Sequence, residues 1–484
     1  MKQFTLSIIS IFITIFLMSC QQNLTAKHTL EEVLPDIEYF IEQDVTHESI
    51  LPSFAGTQIS YKINDQIVED LKTFERPIYD QYMDIEVVIF ASDETYKIID
   101  QIYVLSAYSP KHNYEIHLNG VDFENIQKES FSQTFISLYQ NDTQLYEVLG
   151  NIRGRGNSNW FTYDKKSYRI SFDQDIIMMG LRPHHDYLLI SMAADKSLMR
   201  DVLAHQLSHM LSLEITQETR YVELYVNGNY HGLYALIEDR TYIKSNEDPL
   251  TFALELDFRI DWEPSDDIFI RVDGAPYAIK RSANLEADTL LTIETYLENV
   301  LNDLRNGIID PDIDLNNWAR YMLIQEIFKN VDAWGLSVFM YRENNALKFG
   351  PVWDFDFALG NADYVGDDYY NPEGFFLAFD PRMSWFFTII ELDAFQDMFK
   401  KEMLYYYNEI LPQFLTLIEV LGVSLIPYAE ENFERWHDFN TYLWPNPMFM
   451  VEFESFADHI LWNKTFIYER SIWYRDAMFR QPFI

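Results

Sequence analysis

Cys20 is the only cysteine in the 484-residue chain, and this limits how such a chain can hold itself together. One thiol closes no internal disulfide and builds no thiolate metal centre. The fold must therefore rest on buried apolar side chains. The material is present, since 48% of the residues are hydrophobic and 16% aromatic, enough for a sizeable core. A chain this long is expected to divide into two to four domains of about 100–200 residues each.

The position of that cysteine also carries meaning. Lys2 precedes an uncharged, mostly apolar run, Phe4 to Met18, which is shorter than the about 20 residues needed to span a bilayer. It reads as the apolar stretch of a secretory signal. The run ends in Leu17-Met18-Ser19-Cys20, which resembles a lipobox, the site at which lipoproteins receive a diacylglyceryl group on the cysteine thiol. The expected organisation is a signal peptide over 1–19, a polar tether over 20–27, and a lipid anchor at Cys20 on the extracytoplasmic face of a bacterial membrane. No later run reads as a membrane helix. Lys and Arg number 36 against 76 Asp and Glu, a net charge of −40. Nucleic acid and anionic lipid surfaces would repel such a chain, whereas a basic protein substrate would not. The same acidity also follows from solubility or a salty habitat.

Residues 28–108 carry short alternating runs separated by turn signals. Ile59-Ser60-Tyr61-Lys62-Ile63 and Ile85-Glu86-Val87-Val88-Ile89-Phe90 are strand-like, and Asn64-Asp65 and Ser92-Asp93 mark turns. This stretch is similar to degenerate bacterial immunoglobulin-like modules, which implies a small all-β sandwich acting as a spacer.

From 109 the pattern changes. Gly150, Gly154 and Gly156 cluster in a chain with only 16 glycines, within Asn151-Ile152-Arg153-Gly154-Arg155-Gly156-Asn157-Ser158-Asn159-Trp160. Glycines let backbone approach a ligand closely, and arginines with exposed N–H groups suit phosphate oxygens. A tight turn with surface arginines explains the same residues. A strand with lysines follows, Asp164-Lys165-Lys166-Ser167-Tyr168-Arg169. Asp195 precedes a helical apolar stripe of Met199, Val202, Leu203, Leu207, Met210 and Leu211. Asn227-Gly228 separates two alternating runs, the strongest short hairpin signal. Further on, Asn317 to Phe328 reads as a helix, Lys329 to Ala333 as a loop, and Ser337–Arg342 with Leu347–Trp353 as two strands ending on Asp354-Phe355-Asp356. A helix, a loop carboxylate, a hairpin and an Asp-Phe pair follow one another in this order in a kinase catalytic lobe. There the first Asp serves the acceptor hydroxyl and the second holds Mg²⁺. Taken singly, Asp354 and Asp356 read as caps at a strand end.

The blocks RGRGNSNW, KKSYRISF, DKSLMRDVLAHQLS, YVELYVNGNYHGLYALIE, FALELD, IQEIFKNVDAWGLSVFMYR and GPVWDFDFALGN, in this order and spacing, resemble the CotH (spore coat protein H) kinase family over roughly 110 to 400. The resemblance implies an α+β fold, with an atypical protein-kinase-like two-lobed domain over 109–484. It implies transfer of phosphate from ATP to Ser or Thr of a protein, with Mg²⁺ or Mn²⁺. His-Arg-Asp and Asp-Phe-Gly are absent, and Asp354-Phe355-Asp356 stands in place of the latter. By the same resemblance Asp332 is the catalytic-loop aspartate, Asp354 the metal aspartate and Asp356 its second ligand or support. Arg155 and either Lys165 or Lys166 would meet the phosphates, and Glu238 and Lys280 are further nucleotide contacts, Glu238 reading equally as an exposed strand-end acid. Ser337 stands five residues after Asp332, where conventional kinases place a metal-binding Asn, and a hydroxyl is a poorer ligand.

Two other classes compete. One is a surface-anchored pseudokinase or adhesin, since ATP is scarce outside cells; the presence of Asp332, Asp354 and Asp356 argues for activity. The other is a carbohydrate-binding or polysaccharide-modifying lipoprotein, suggested by 10 Trp, 32 Tyr and 36 Phe, although most of these aromatics lie in periodic apolar runs and read as core.

Overall fold

A computed structural model describes residues 28–46, 49–239, 248–262, 267–364, 369–376 and 384–480. The signal, the tether and Cys20 lie outside these residues. The chain divides into two compact units after Ala107, the second beginning at Tyr108.

The first unit begins with helix α1 (Leu30–Glu42). Its entry is fixed by a capping box, with the Glu32 carboxylate accepting from Thr29 N at 2.8 Å. Strands β1 (Asp44–Val45), β2 (Gln58–Ile63), β3 (Gln66–Val68), β4 (Gln81–Ala91) and β5 (Glu94–Val104) form one sheet in the order β1-β5-β4-β2-β3. The turns at Asn64-Asp65 and Ser92-Asp93 have positive φ at both residues (42° and 67°; 49° and 67°), the geometry of tight hairpins. Val33, Ile37, Phe40 and Ile41 of α1 share one core with Ile63, Ile85, Val87, Ile89 and Ile102 of the sheet. The expected two-sheet immunoglobulin-like sandwich is therefore replaced, among the described residues, by one sheet covered by a helix. One layer suffices because α1 supplies the apolar face that a second sheet would have provided.

The second unit opens with a barrel. Strands β6 (Tyr114–Asn119), β7 (Ser132–Gln140) and β8 (Thr143–Arg155) are followed by short helix α2 (Ser158–Thr162), then by β9 (Ser167–Ile176) and β10 (His184–Ile190). Helix α3 (Arg200–Met210) precedes β11 (Thr219–Val226) and β12 (Asn229–Glu238). The seven strands close in the order β10-β12-β11-β6-β7-β8-β9, with β11 parallel to β6. Asn227-Gly228 makes the β11–β12 turn, with φ of 48° and 80°. Ile116, Leu118, Ile136, Leu138, Ile152, Ile170, Leu189, Leu224 and Leu236 fill the interior. Each such side chain contributes roughly 1.5–3 kcal/mol of burial. Position 154 has room only for glycine, since a Cβ would lie 2.3 Å from the Trp160 ring.

Strands β13 (Phe252–Leu256), β14 (Phe269–Val272) and β15 (Ala275–Arg281), helices α4 (Ala287–Arg305) and α5 (Leu315–Phe328), and strands β16 (Val338–Glu343) and β17 (Ala346–Phe349) come next. The strands form a sheet ordered β14-β15-β13-β16-β17. Helices α6 (Ser384–Ile389), α7 (Asp393–Tyr405), α8 (Leu411–Trp436) and α9 (Phe456–Arg480) complete the unit. Helix α5 is buried on almost every face, so it is the central post of this part. Arg470 of α9 ties it down through a fully buried ion pair with Glu326 at 2.9 Å, and also donates to the carbonyls of Pro372 (2.8 Å) and Gly374 (2.9 Å). The class is α+β. One helical stretch, Asp393–Trp436, is long and apolar enough to cross a membrane by length and composition, which differs from the sequence reading; half of its most apolar window is buried inside the protein.

Candidate active site

The end of α5 and the end of the β16–β17 hairpin bring two carboxylate-bearing turns to one cleft. Helix α5 stops because Lys329 adopts a left-handed conformation, φ 49°. The chain then forms a 3₁₀ turn, Val331–Trp334, whose start is fixed by the Asn330 side chain accepting from Asp332 N at 3.3 Å. The Asp332 carbonyl accepts from Gly335 N (3.1 Å) and Leu336 N (2.8 Å). Beyond the hairpin, Asp354 also holds a positive φ of 63°, which aspartate tolerates better than most residues. Phe355 is fully buried and meets Phe328 of α5 edge-on, with ring centroids 5.2 Å apart. That contact sends Asp354 and Asp356 to either side of a core anchor.

Around these turns lies a cleft of about 720 Å³. Asp332, Asp354 and Asp356 line it, together with Arg155, Asn159, Ser337 and Tyr364. The Ser337 hydroxyl donates to Asp354 Oδ2 (3.2 Å), and the Tyr364 hydroxyl lies 3.5 Å from Asp332 Oδ1. Asp356 is 5% exposed; its Oδ2 accepts only a long bond from Asn159 (3.5 Å), and its Oδ1 is buried with no hydrogen-bond partner among the described residues. A fourth carboxylate, Asp201 in the first turn of α3, accepts from Phe355 N at 2.6 Å and shares a smaller cavity with Asp354, Asp356 and Arg155.

Crowding of like charge sets the electrostatics. Burial, followed by repulsion from Asp354, pushes the Asp332 carboxyl up to about 8, against the opposing pull of Arg259 and Tyr364. The same two causes push Asp201 up to about 7. Asp356 is raised well above the usual carboxylate range by burial, then by Asp354, Asp201 and Asp332. These groups cannot all ionise without a cation among them. Among the described residues, no three acidic, His or Cys side chains converge into a ready-made coordination sphere. The donors are hard oxygens, and Asp356 Oδ1 is an orphaned one. That set fits Mg²⁺, which takes one or two carboxylates and completes its shell with water and phosphate.

The barrel supplies the opposing charge. Arg153 and Arg155 alternate with Gly154 on β8, and Arg153, Arg169 and Leu188 stand side by side across β8, β9 and β10. All four of Arg153, Arg155, Arg169 and Leu188 line the cleft. Arg169 is held by Asp186 (2.7 Å) and Asp239 (2.8 Å). Arg153 donates instead to the backbone carbonyls of Lys128 (2.7 Å) and Gly154 (3.4 Å). The Arg155 guanidinium lies over the Trp353 ring at 5.3 Å. Facing them, Arg259 forks onto Asp257 (2.8 and 2.6 Å) and Lys280 pairs with Glu255 at 2.8 Å.

Of the residues singled out from sequence, Arg155, Lys280, Asp332, Asp354 and Asp356 line the cleft, whereas Lys165, Lys166 and Glu238 do not. Lys165 is buried where the barrel meets α8, donating to Leu233 O (2.5 Å) and Asn432 Oδ1 (2.7 Å), and burial lowers it to about 7. Lys166 donates to Trp160 O at 2.6 Å. Glu238 is fully buried rather than an exposed strand-end acid, and accepts from Arg182 at 2.8 Å. Arg153, which the sequence offers with Arg155 as a match for phosphate oxygens, lines the cleft as well, whereas the sequence reading assigns no role to Asp201, Arg169 or Arg259. Arg153 was legible as the same-face partner of Arg155 on a strand; Asp201 sat within a helix read only for its apolar stripe.

A family model described as CotH kinase protein matches residues 152–474. No curated protein matches the chain in sequence.

Proposed function

The chain belongs to the CotH kinase family, and we propose that it is an atypical protein kinase that transfers the γ-phosphate of ATP to Ser or Thr hydroxyls of a protein outside the cytoplasm. The observation that carries this is the meeting of Asp332, Asp354, Asp356 and Arg155 in one cleft from separate stretches of chain. In this reading the barrel with its arginine face is the smaller lobe, and the sheet with α4 to α9 is the larger.

Phosphoryl transfer depends on positioning and charge neutralisation. Asp354 and Asp356 would hold Mg²⁺ or Mn²⁺, which neutralises phosphate charge when bound. Arg155, Arg153 and Arg169 receive the phosphates, with Arg169 in place of the lysine, Lys165 or Lys166, that the resemblance sets beside Arg155. Guanidinium forks suit phosphate oxygens, and a strip of arginines in a chain of net charge −40 concentrates anion attraction in the cleft. Asp332 orients the acceptor hydroxyl and accepts its proton. Repulsion from Asp354 helps raise the Asp332 carboxyl; a divalent cation on Asp354 would relieve it and favour the ionised, proton-accepting form. Cys20 anchors the protein to the membrane by a diacylglyceryl group, the two acyl chains giving stable attachment, and the acidic surface tolerates a basic protein substrate. The reading is tested by metal-dependent phosphate transfer from ATP, with Asp332→Asn as the comparison; a chain that neither binds nor transfers ATP would be a surface-binding protein on a kinase scaffold.

A further inference from the structure

The start of α3 is fixed with unusual thoroughness. The Asp195 carboxylate accepts from Ser197 N (2.9 Å), Ser197 Oγ (2.5 Å), Met199 N (2.9 Å) and Arg200 N (2.8 Å), and it pairs with the Arg200 guanidinium. Asn463 of α9 donates to Ser197 Oγ at 2.8 Å. Two consecutive residues then reach out of this rigid turn to the same short segment. Arg200 Nε donates to Ala358 O at 3.0 Å, and Asp201 Oδ1 accepts from Phe355 N at 2.6 Å.

The Phe355 amide is the one whose direction matters. It follows Asp354, whose φ of 63° lies in the left-handed region that L-residues adopt sparingly. That geometry persists only if the surroundings hold it. Asp201 and Arg200 bracket the segment carrying Asp354 and Asp356, and Asp201 takes the hydrogen bond at the strained joint. We propose that Asp201 is a positioning residue that sets the orientation of Asp354 and Asp356 toward the divalent cation through its hydrogen bond to Phe355 N. This inference rests on the cleft being a metal–nucleotide site. It assigns Asp201 a hydrogen-bonding role rather than a ligand's charge.

The two roles separate by substitution. Asp201→Asn keeps a carbonyl acceptor for Phe355 N but loses the charge. Asp201→Ala loses both, and Asp201→Ser keeps a polar first-turn residue too short to reach the amide, providing a second variant if Ala compromises folding. Mn²⁺ with ATP is titrated into the full chain by calorimetry, and hydrogen exchange at the Phe355 amide is followed without metal. Asp354→Asn serves as the control that abolishes metal-dependent binding. The expected result is that Asp201→Asn binds within about threefold of wild type, while Asp201→Ser and Asp201→Ala bind at least tenfold more weakly and exchange the Phe355 amide faster. Wild-type affinity in the Ser and Ala variants overturns the inference alone. An Asn variant as weak as Ala also overturns it, in favour of a charged ligand. A wild-type chain that binds no Mn²⁺–ATP overturns the functional reading, and this inference with it.

Discussion

Asp332→Asn should make the metal-free protein more stable at alkaline pH while making it a poorer enzyme. The Asp332 carboxyl is lifted from 3.8 to about 8 by burial and by Asp354. Between those values the folded protein holds a proton that the unfolded chain has already released, so stability falls as pH rises through the window. Each tenfold change in the acid dissociation constant corresponds to about 1.4 kcal/mol. The full rise would be worth on the order of 6 kcal/mol, but Asp201 and Asp356 share the same protons and Asp332 is part-exposed, which reduces the isolated effect to about 1–3 kcal/mol. Asn is nearly isosteric, still accepts from Tyr364, and can donate to a neighbouring carboxylate. At pH 8.5 in a chelator the variant should therefore melt a few degrees above wild type, at about 1–2 °C per kcal/mol for a unit of this size. At pH 5 the gap should shrink to about a quarter of that, because only about one of the roughly four pH units between 3.8 and 8 has then been crossed. Differential scanning calorimetry at both pH values decides the matter. A variant equally destabilised at pH 5 and 8.5 would show that Asp332 is a structural cap and that charge crowding in the cleft is unreal.

Two other substitutions probe the barrel side. Arg155→Ala should weaken ATP binding at least tenfold while Lys166→Ala leaves it near wild type, since Arg155 lines the cleft and Lys166 is bound to Trp160 O; calorimetric titration separates them, and the reverse order would restore the lysine. Gly154→Ala places a methyl group 2.3 Å from the Trp160 ring and should cost about 1–3 kcal/mol, read as a lower urea midpoint, whereas an unchanged midpoint would mean that Trp160 moves aside freely.

Local signals were legible and long-range ones were not. Asn227-Gly228, Asn64-Asp65 and Ser92-Asp93 announced their hairpins because positive φ at both turn residues is a demand that few residue types meet. Asp332 and the Asp354-Phe355-Asp356 turn could be found because each follows a strongly patterned element that ends abruptly. Helix α1 is legible in Leu30, Val33, Ile37, Phe40 and Ile41, which are spaced for one helical face, but the β-patterned runs beyond it dominate 28–108 and point to an all-β module. Barrel closure could not be read locally: β11 pairs in parallel with β6 across about a hundred residues, and no nearby residue encodes that. Lys165 misled for the same reason. Its type suits phosphate, but closing the barrel against α8 turns it to Leu233 O and Asn432 instead. Gly154, taken from sequence as room for a ligand, is as much room for Trp160.

The central claim stands or falls on phosphate transfer by the purified full chain. Incubated with γ-labelled ATP, Mg²⁺ or Mn²⁺ and a basic Ser/Thr-containing protein, the wild type should label itself or that protein, and a chelator should abolish the signal. Asp332→Asn should bind ATP with metal as the wild type does yet transfer about 10²–10⁴-fold more slowly, the usual contribution of a positioned acid–base group. Equal labelling by wild type and Asp332→Asn, or no labelling and no ATP binding by the wild type, would contradict the assignment.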